Sequence, residues 1–227
     1  MCGRYVSPDD AAIERAFDLP RSGRSIHAHY NLAPSEHAPV IRLLDGAPRL
    51  EELRFGLVPF FAKGQPGRYA TFNARVETLE TSASFRGPWR RAQRCLVPAR
   101  GFYEWHVNPD GTKQPFYVHL ADRPIFAFAG LWDRSVADDG SALESFTIIT
   151  MSANALLSRI HNARRRMPAI LAREDERTWL EGSAAAAHAV LVPYPDAAMR
   201  AHRVSARVNS ARNDDPALIA PLPAENP

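Results

Sequence analysis

Apolar and polar positions alternate in short runs through the middle of the chain, and Gly, Pro, Asn and Asp separate the runs. Short runs rich in apolar and β-forming residues, bounded by such turn chemistry, read as strands. The candidate segments are 38–44, 50–57, 94–97, 101–107, 114–120, 125–132 and 146–150. Asp45-Gly46 and the Asn-Pro-Asp-Gly stretch at 108–111 lie between such runs. Both are hairpin connectors, so neighbouring strands are expected to pair antiparallel. Helical spacing is confined to 8–17, with Ser7 as the expected cap and Pro8 in the first turn, and to 152–160 and 174–180. The expected fold is α+β: a single β-rich domain over 1–227, with mainly antiparallel strands forming a barrel-like sheet core and a few peripheral helices. The Pro-rich stretch 215–227 is expected to be a loose C-terminal tail.

A chain of 227 residues with 45% apolar content can bury the core that such a fold needs. It has no apolar run of membrane-spanning length, and acidic residues interrupt its first segment where a secretory signal would be apolar. The expected location is cytoplasmic, associated with the nucleoid when bound to DNA. The formal charge is +3, and 26 of the 28 cationic side chains are Arg, Lys63 and Lys113 being the exceptions. Arg offers a planar, bidentate fork that suits phosphate. An Ala- and Arg-rich composition is equally a mark of codon bias, so composition alone does not establish nucleic-acid binding. The two cysteines, Cys2 and Cys95, make neither a disulfide framework nor a zinc site, and no metal or other cofactor is implied.

Cys2 follows the initiator Met1. Ordinary removal of Met1 would leave one residue with both a free α-amine and a thiol. Such a 1,2-aminothiol attacks an aldehyde twice, first through the amine and then through the thiol, closing a five-membered ring in an intramolecular step. Reference pKa values of about 8 for the amine and about 8.5 for the thiol leave both partly available near neutrality. The same residue could also be an incidental cysteine at a frayed terminus.

Three further segments offer chemistry. In 71–78, the Asn73 amide can orient an amine or hydroxyl with Arg75 on the same side of an extended stretch, or Asn73 can cap a short helix running through Glu77. In 94–105, alternation puts Phe102 and Glu104 on one face and Tyr103 and Trp105 on the other. A Glu104 carboxyl among apolar neighbours would have a raised pKa suited to acid or base work, whereas an edge-strand glutamate would face water. Cys95, flanked by Leu96 and Val97, is expected to be buried and inert. In 160–168, His161 precedes three consecutive arginines, Arg164 to Arg166, giving either a proton carrier beside phosphate ligands or a solvated basic loop. His27 and His29 have strand-like spacing but no third metal ligand, and they carry no assigned role.

Taken in order, the four segments resemble the SOS-response-associated peptidase (SRAP) family. The pattern is an initial MCGR, an NAR-x-E motif, an RC-hydrophobic-x-P-x-x-G-[FY]-[FY]-E-W motif and an IH…RMP motif. Further similarities lie at 30–34, 54–59, 130–132 and 150–154, with a weaker echo at Val208-Asn209. The resemblance implies a DNA damage response protein of the SOS type, whose N-terminal cysteine forms a thiazolidine with the ring-opened sugar of an abasic site. It implies Cys2 as nucleophile, Asn73 positioning the amine and the sugar, Glu104 shuttling protons and His161 assisting ring opening. It further implies a DNA surface of Arg4, Arg75, Arg86, Trp105, Thr150, Arg164 or Arg166, and Phe61. The implied partner is single-stranded DNA containing abasic sites, including replication-fork DNA.

The chain departs from the family pattern in three places. Family members often have Trp where this chain has Phe55 and Phe61, and some have a single residue between the His and Arg of the last motif, where here four separate His161 from Arg166. The family's peptidase label rests on removal of an N-terminal segment, which here could be at most Met1. Two alternatives to self-crosslinking, lyase-like chemistry remain. One is an N-terminal-nucleophile cysteine peptidase or amidohydrolase, and the other is a non-catalytic module for single-stranded or modified DNA.

Overall fold

The computed structural model describes residues 2–67 and 70–223. Five strands close into a barrel in the order β10 (Ala142–Ser152), β4 (Ala47–Phe55), β3 (His37–Leu44), β6 (Arg94–Ala99) and β9 (Phe126–Val136), with β9 returning to pair with β10. The short strands β5 (Asn73–Arg75) and β11 (Arg166–Pro168) extend β10. A second sheet is antiparallel throughout, in the order β12 (Met199–Arg203), β8 (Lys113–Leu120), β7 (Gly101–Val107), β1 (Tyr5–Ser7) and β2 (His29–Leu32). The α+β, barrel-cored expectation holds. The pairings of β10 with β4 and with β5 are the parallel exceptions.

Local chemistry explains the tight connections. Asp45 (φ 51) and Gly46 (φ 75) both take positive φ between the paired residues Leu44 and Ala47, which is the two-residue hairpin geometry predicted for Asp-Gly. Helix α1 (Asp10–Ala16) begins later than expected because Ser7 is consumed by β1, and the Asp9 carboxylate caps it instead, accepting from Ala12 N at 2.8 Å. Similarly, Ser152 ends β10, so helix α3 (Ala155–Ile160) waits for Asn154, whose side chain accepts from Leu157 N at 2.9 Å. Helices α2 (Arg86–Arg90), α4 (Glu176–Glu181) and α5 (Ala184–Ala189) lie outside the barrel.

The main core lies where the two sheets face each other: Tyr5, Phe102 and Val118 from one pack in the same cluster as Val40, Leu53 and Phe128 from the other. The opposite face of the five-stranded sheet carries Val6, Tyr103 and Tyr117, and residues Val204, Val208 and Leu218 cover it. The expected loose tail is therefore corrected as far as 222. Leu218 has no exposure, and Leu222 N donates to Arg203 O at 2.9 Å. Burying one Leu side chain stabilises by about 1.5–3 kcal/mol, enough to fasten a short segment.

Candidate active site

Cys2 lies just before β1. That strand pairs antiparallel with β7, Tyr5 opposite Phe102, and Arg4 O accepts from Tyr103 N at 3.0 Å. The register brings the start of the chain alongside Glu104. Cys2 is fully buried, and the Asn73 amide donates from Nδ2 to its carbonyl at 3.1 Å and to Ile148 O at 3.4 Å. Strand β5 holds Asn73 there by running parallel to β10, so Asn73 does not cap the 3-10 turn Val76–Thr78, which has no side-chain cap. Burial, and then the Glu104 charge, push the Cys2 thiol well above its ordinary pKa. A thiol in this setting needs a base before it can attack.

Glu104 points with Phe102 into the space between the sheets, as alternation predicted, and is 1% exposed. Burial raises its pKa to about 7, against a smaller opposing influence of Arg164 among others. His161, also buried, places Nδ1 3.7 Å from Glu104 Oε2 and 3.0 Å from Arg166 O. A carbonyl oxygen can only accept, so the bond to Arg166 O puts a proton on Nδ1. Burial lowers the His161 pKa, which favours the neutral ring.

The turn that ends α3 is fixed to β7 by Asn162. Its Oδ1 accepts from Val107 N at 3.0 Å and its Nδ2 donates to Val107 O at 2.9 Å. Side-chain pairing with a strand edge sets the distance between His161 and Glu104. No sequence signal marks Asn162, because its partner lies 55 positions away.

Two cavities flank these groups. One of about 510 Å³ is lined by Glu104, Trp105, His161, Arg164 and Asn209 among others, and one of about 630 Å³ by Asn73, Arg75, Phe85, Arg164 and Arg166 among others. Arg164 lines both the cavity of Glu104 and His161 and the cavity of Asn73.

The candidate DNA-binding residues divide by exposure. Arg75 and Arg164 are exposed at the cavities. Arg166 is 6% exposed; its guanidinium is bonded to both carboxylate oxygens of Glu77, and Nη2 also donates to Thr150 O at 2.7 Å. Thr150 is itself fully buried, its hydroxyl within 3.4 Å of Ala74 O and of Arg166 Nη2. These two therefore brace β5 and β11 across β10, and Arg166 also lines the second cavity. Arg4 is committed internally, to Asn31 Oδ1 at 3.0 Å and Val208 O at 2.8 Å. Arg86 is exposed at the start of α2, and Phe61 is 54% exposed in the turn Phe60–Ala62; neither lines the two cavities. Trp105 is half-buried at the first cavity. Among the described residues, no group of three or more His, Cys, Asp or Glu could hold a metal ion, and no helix is long and apolar enough to cross a membrane.

Comparison with known proteins finds similarity along nearly the whole chain. A family model described as SOS response associated peptidase (SRAP) matches residues 1–211. Abasic site processing protein YoqW of Bacillus subtilis (strain 168) is 39% identical over 227 residues, which is 96% of this chain and 99% of the relative. Abasic site processing protein HMCES of Gallus gallus is 31% identical over 234 residues, covering 89% of this chain and 68% of its own. A crystal structure of a protein from Bacteroides thetaiotaomicron aligns with a TM-score of 0.86 at 27% identity, covering 98% of this chain and all of that one.

Proposed function

The chain belongs to the SOS response associated peptidase (SRAP) family, and from that premise we propose that it captures abasic sites in single-stranded DNA by a covalent bond to Cys2, once Met1 has been removed. The observation that carries this reading is the gathering of Cys2, Asn73, Glu104 and His161 from four separate segments, beside two cavities that share Arg164. The names of the relatives, as abasic site processing proteins, supply the substrate class.

An abasic deoxyribose is mostly a closed hemiacetal. Neutral His161 takes the proton of the C1′ hydroxyl while an acid protonates the ring oxygen, and the C1′–O4′ bond breaks to give an aldehyde. The Cys2 amine adds to that carbon. Protonated Glu104 then gives its proton to the departing hydroxyl, which leaves as water, and a Schiff base remains. The resulting carboxylate takes the thiol proton, and sulfur bonds to the same carbon to close the thiazolidine, the nitrogen ending as an amine. The net change is aminothiol plus aldehyde to thiazolidine plus one water. A carboxyl with a pKa of about 7 can serve in both directions at neutrality, which suits this repeated exchange. Arg75 and Arg164 hold phosphates on either side, and Trp105 offers a stacking face for an unpaired base.

The peptidase or amidohydrolase reading is less well supported. An oxyanion site needs a donor aimed at a substrate carbonyl, and the Asn73 amide is already engaged by Cys2 O and Ile148 O. A denaturing gel tests the proposal: an abasic single strand should be shifted by the wild-type protein, not by Cys2→Ala, and by Cys2→Ser only after borohydride trapping. An undiminished shift with Cys2→Ala would overturn it.

A further inference from the structure

The C-terminal segment that covers the five-stranded sheet reaches the groove at Asn209, the last residue of the 3-10 turn Ala206–Asn209. Its Oδ1 accepts from Trp105 Nε1 at 2.8 Å. Its main-chain oxygen accepts from Arg4 Nη2 at 3.3 Å, beside the shorter bond from Arg4 Nη1 to Val208 O. An indole has one donor and no acceptor, so the bond to Asn209 uses the whole polar capacity of the Trp105 ring. Trp105 lines the same cavity as Glu104 and His161 and is half-buried, so packing alone leaves part of the ring unrestrained.

We propose that Asn209 is a positioning residue for DNA: it fixes the orientation of the Trp105 indole as a stacking wall of the groove, and its backbone ties that wall to Arg4, two positions after the nucleophile. This rests on the DNA-capture reading above. The turn has anchors that do not depend on the Asn209 side chain. Asn31 Nδ2 donates to the carbonyls of Val208, Ser210 and Asn213, and Asp214 accepts from the backbone of Tyr30 and Asn31. Removing the side-chain acceptor therefore frees the indole while the segment stays in place. A stacking platform that must be ordered on binding costs affinity, whereas one already ordered does not.

The test is a double-mutant cycle of Asn209→Ala and Trp105→Phe, since Phe keeps a ring face and lacks the N–H. Each variant is titrated with a single-stranded oligonucleotide carrying one abasic site, and crosslinking rate is followed against DNA concentration. Asn209→Ala should raise the half-saturating concentration roughly three- to tenfold, the scale of ordering one side chain, and leave the saturating rate within about twofold. Added to Trp105→Phe, it should have no further effect. An unchanged half-saturating concentration, or the same factor in both backgrounds, would overturn the proposal. Anisotropy titration with an unmodified strand of the same sequence reads the cycle without crosslinking. If the wild type binds that strand but never crosslinks the abasic one, the capture chemistry fails while the role of Asn209 is still decided.

Discussion

Glu104 Oε2 lies 3.7 Å from His161 Nδ1, and both side chains are almost wholly withdrawn from water. Burial acts on them in opposite senses. It raises the carboxyl pKa to about 7 and lowers that of the imidazole, so each is driven toward its neutral form. In the proposed mechanism the two residues serve as a neighbouring acid and base, with the carboxyl as the group that titrates near neutrality. The single-turnover crosslinking rate at saturating DNA should pass through a maximum close to pH 7. It falls on the alkaline side, where the carboxyl has no proton for the departing water, and on the acid side, where the Cys2 amine, with a reference pKa of about 8, is protonated and cannot attack. Glu104→Gln should lower the rate on the order of a hundredfold or more and abolish the maximum. A quenched time course across the pH range checks this, and a maximum that persists in Glu104→Gln would rule out the assignment.

An abasic-site analogue that presents an open aldehyde separates the two residues. It bypasses ring opening, so it should restore most of the rate lost in His161→Ala and leave Glu104→Gln slow. Equal rescue of both, or of neither, would show that the division of labour is wrong.

The raised carboxyl pKa is also a statement about stability. Glu104 binds its proton more tightly in the folded chain than in the unfolded one. Its contribution is thus complete below the unfolded value near 4.5 and is lost as pH rises through about 7. Glu104→Gln, which keeps the shape without the charge, should match the wild type at acid pH and gain over it above neutrality. The gain is bounded at roughly 3 kcal/mol by the size of the shift. Urea unfolding at two pH values measures it. A variant no more stable than the wild type at alkaline pH would contradict the burial argument.

Arg164 and Arg166 are two positions apart and should behave differently. Arg164→Ala should leave thermal stability unchanged and reduce the salt dependence of single-strand binding by about 0.7 in log–log slope, as expected for one lost phosphate contact. Glu77→Ala should destabilise by about 1–3 kcal/mol, because it strands the buried Arg166 guanidinium; the half-exposed position of Glu77 keeps the cost below that of a fully buried pair. Calorimetry and binding titrations at several salt concentrations distinguish them. A loss of slope in Arg166→Ala equal to that in Arg164→Ala would mean that Arg166 reaches DNA.

The long strands were legible in the sequence because each contains a run of apolar and β-forming residues, and Asp-Gly or Asn-Pro-Asp-Gly turns mark where two hairpins reverse. The strands Tyr5–Ser7, His29–Leu32, Asn73–Arg75 and Arg166–Pro168 are too short to show a period, and tertiary pairing alone defines them. The alternation around Glu104 did foretell its burial. The burial of Thr150 and Arg166 and the internal bonding of half-buried Arg4 were not legible, since polar side chains default to the surface unless partners far along the chain receive them. Those partners, Glu77, Asn31 and the Val208 carbonyl, are up to 204 positions distant. Asn162 was missed for the same reason, and Asn209 stood out only as part of the weak Val208-Asn209 echo.

Intact-mass measurement tests the central claim most directly. The protein is mixed with a single-stranded oligonucleotide bearing one abasic site and analysed under denaturing conditions. The account predicts a species equal to the chain without Met1, plus the oligonucleotide, less one water, formed by the wild type and absent with Cys2→Ala. A wild-type protein that gains no mass, or a Cys2→Ala protein that gains the same mass, would contradict it.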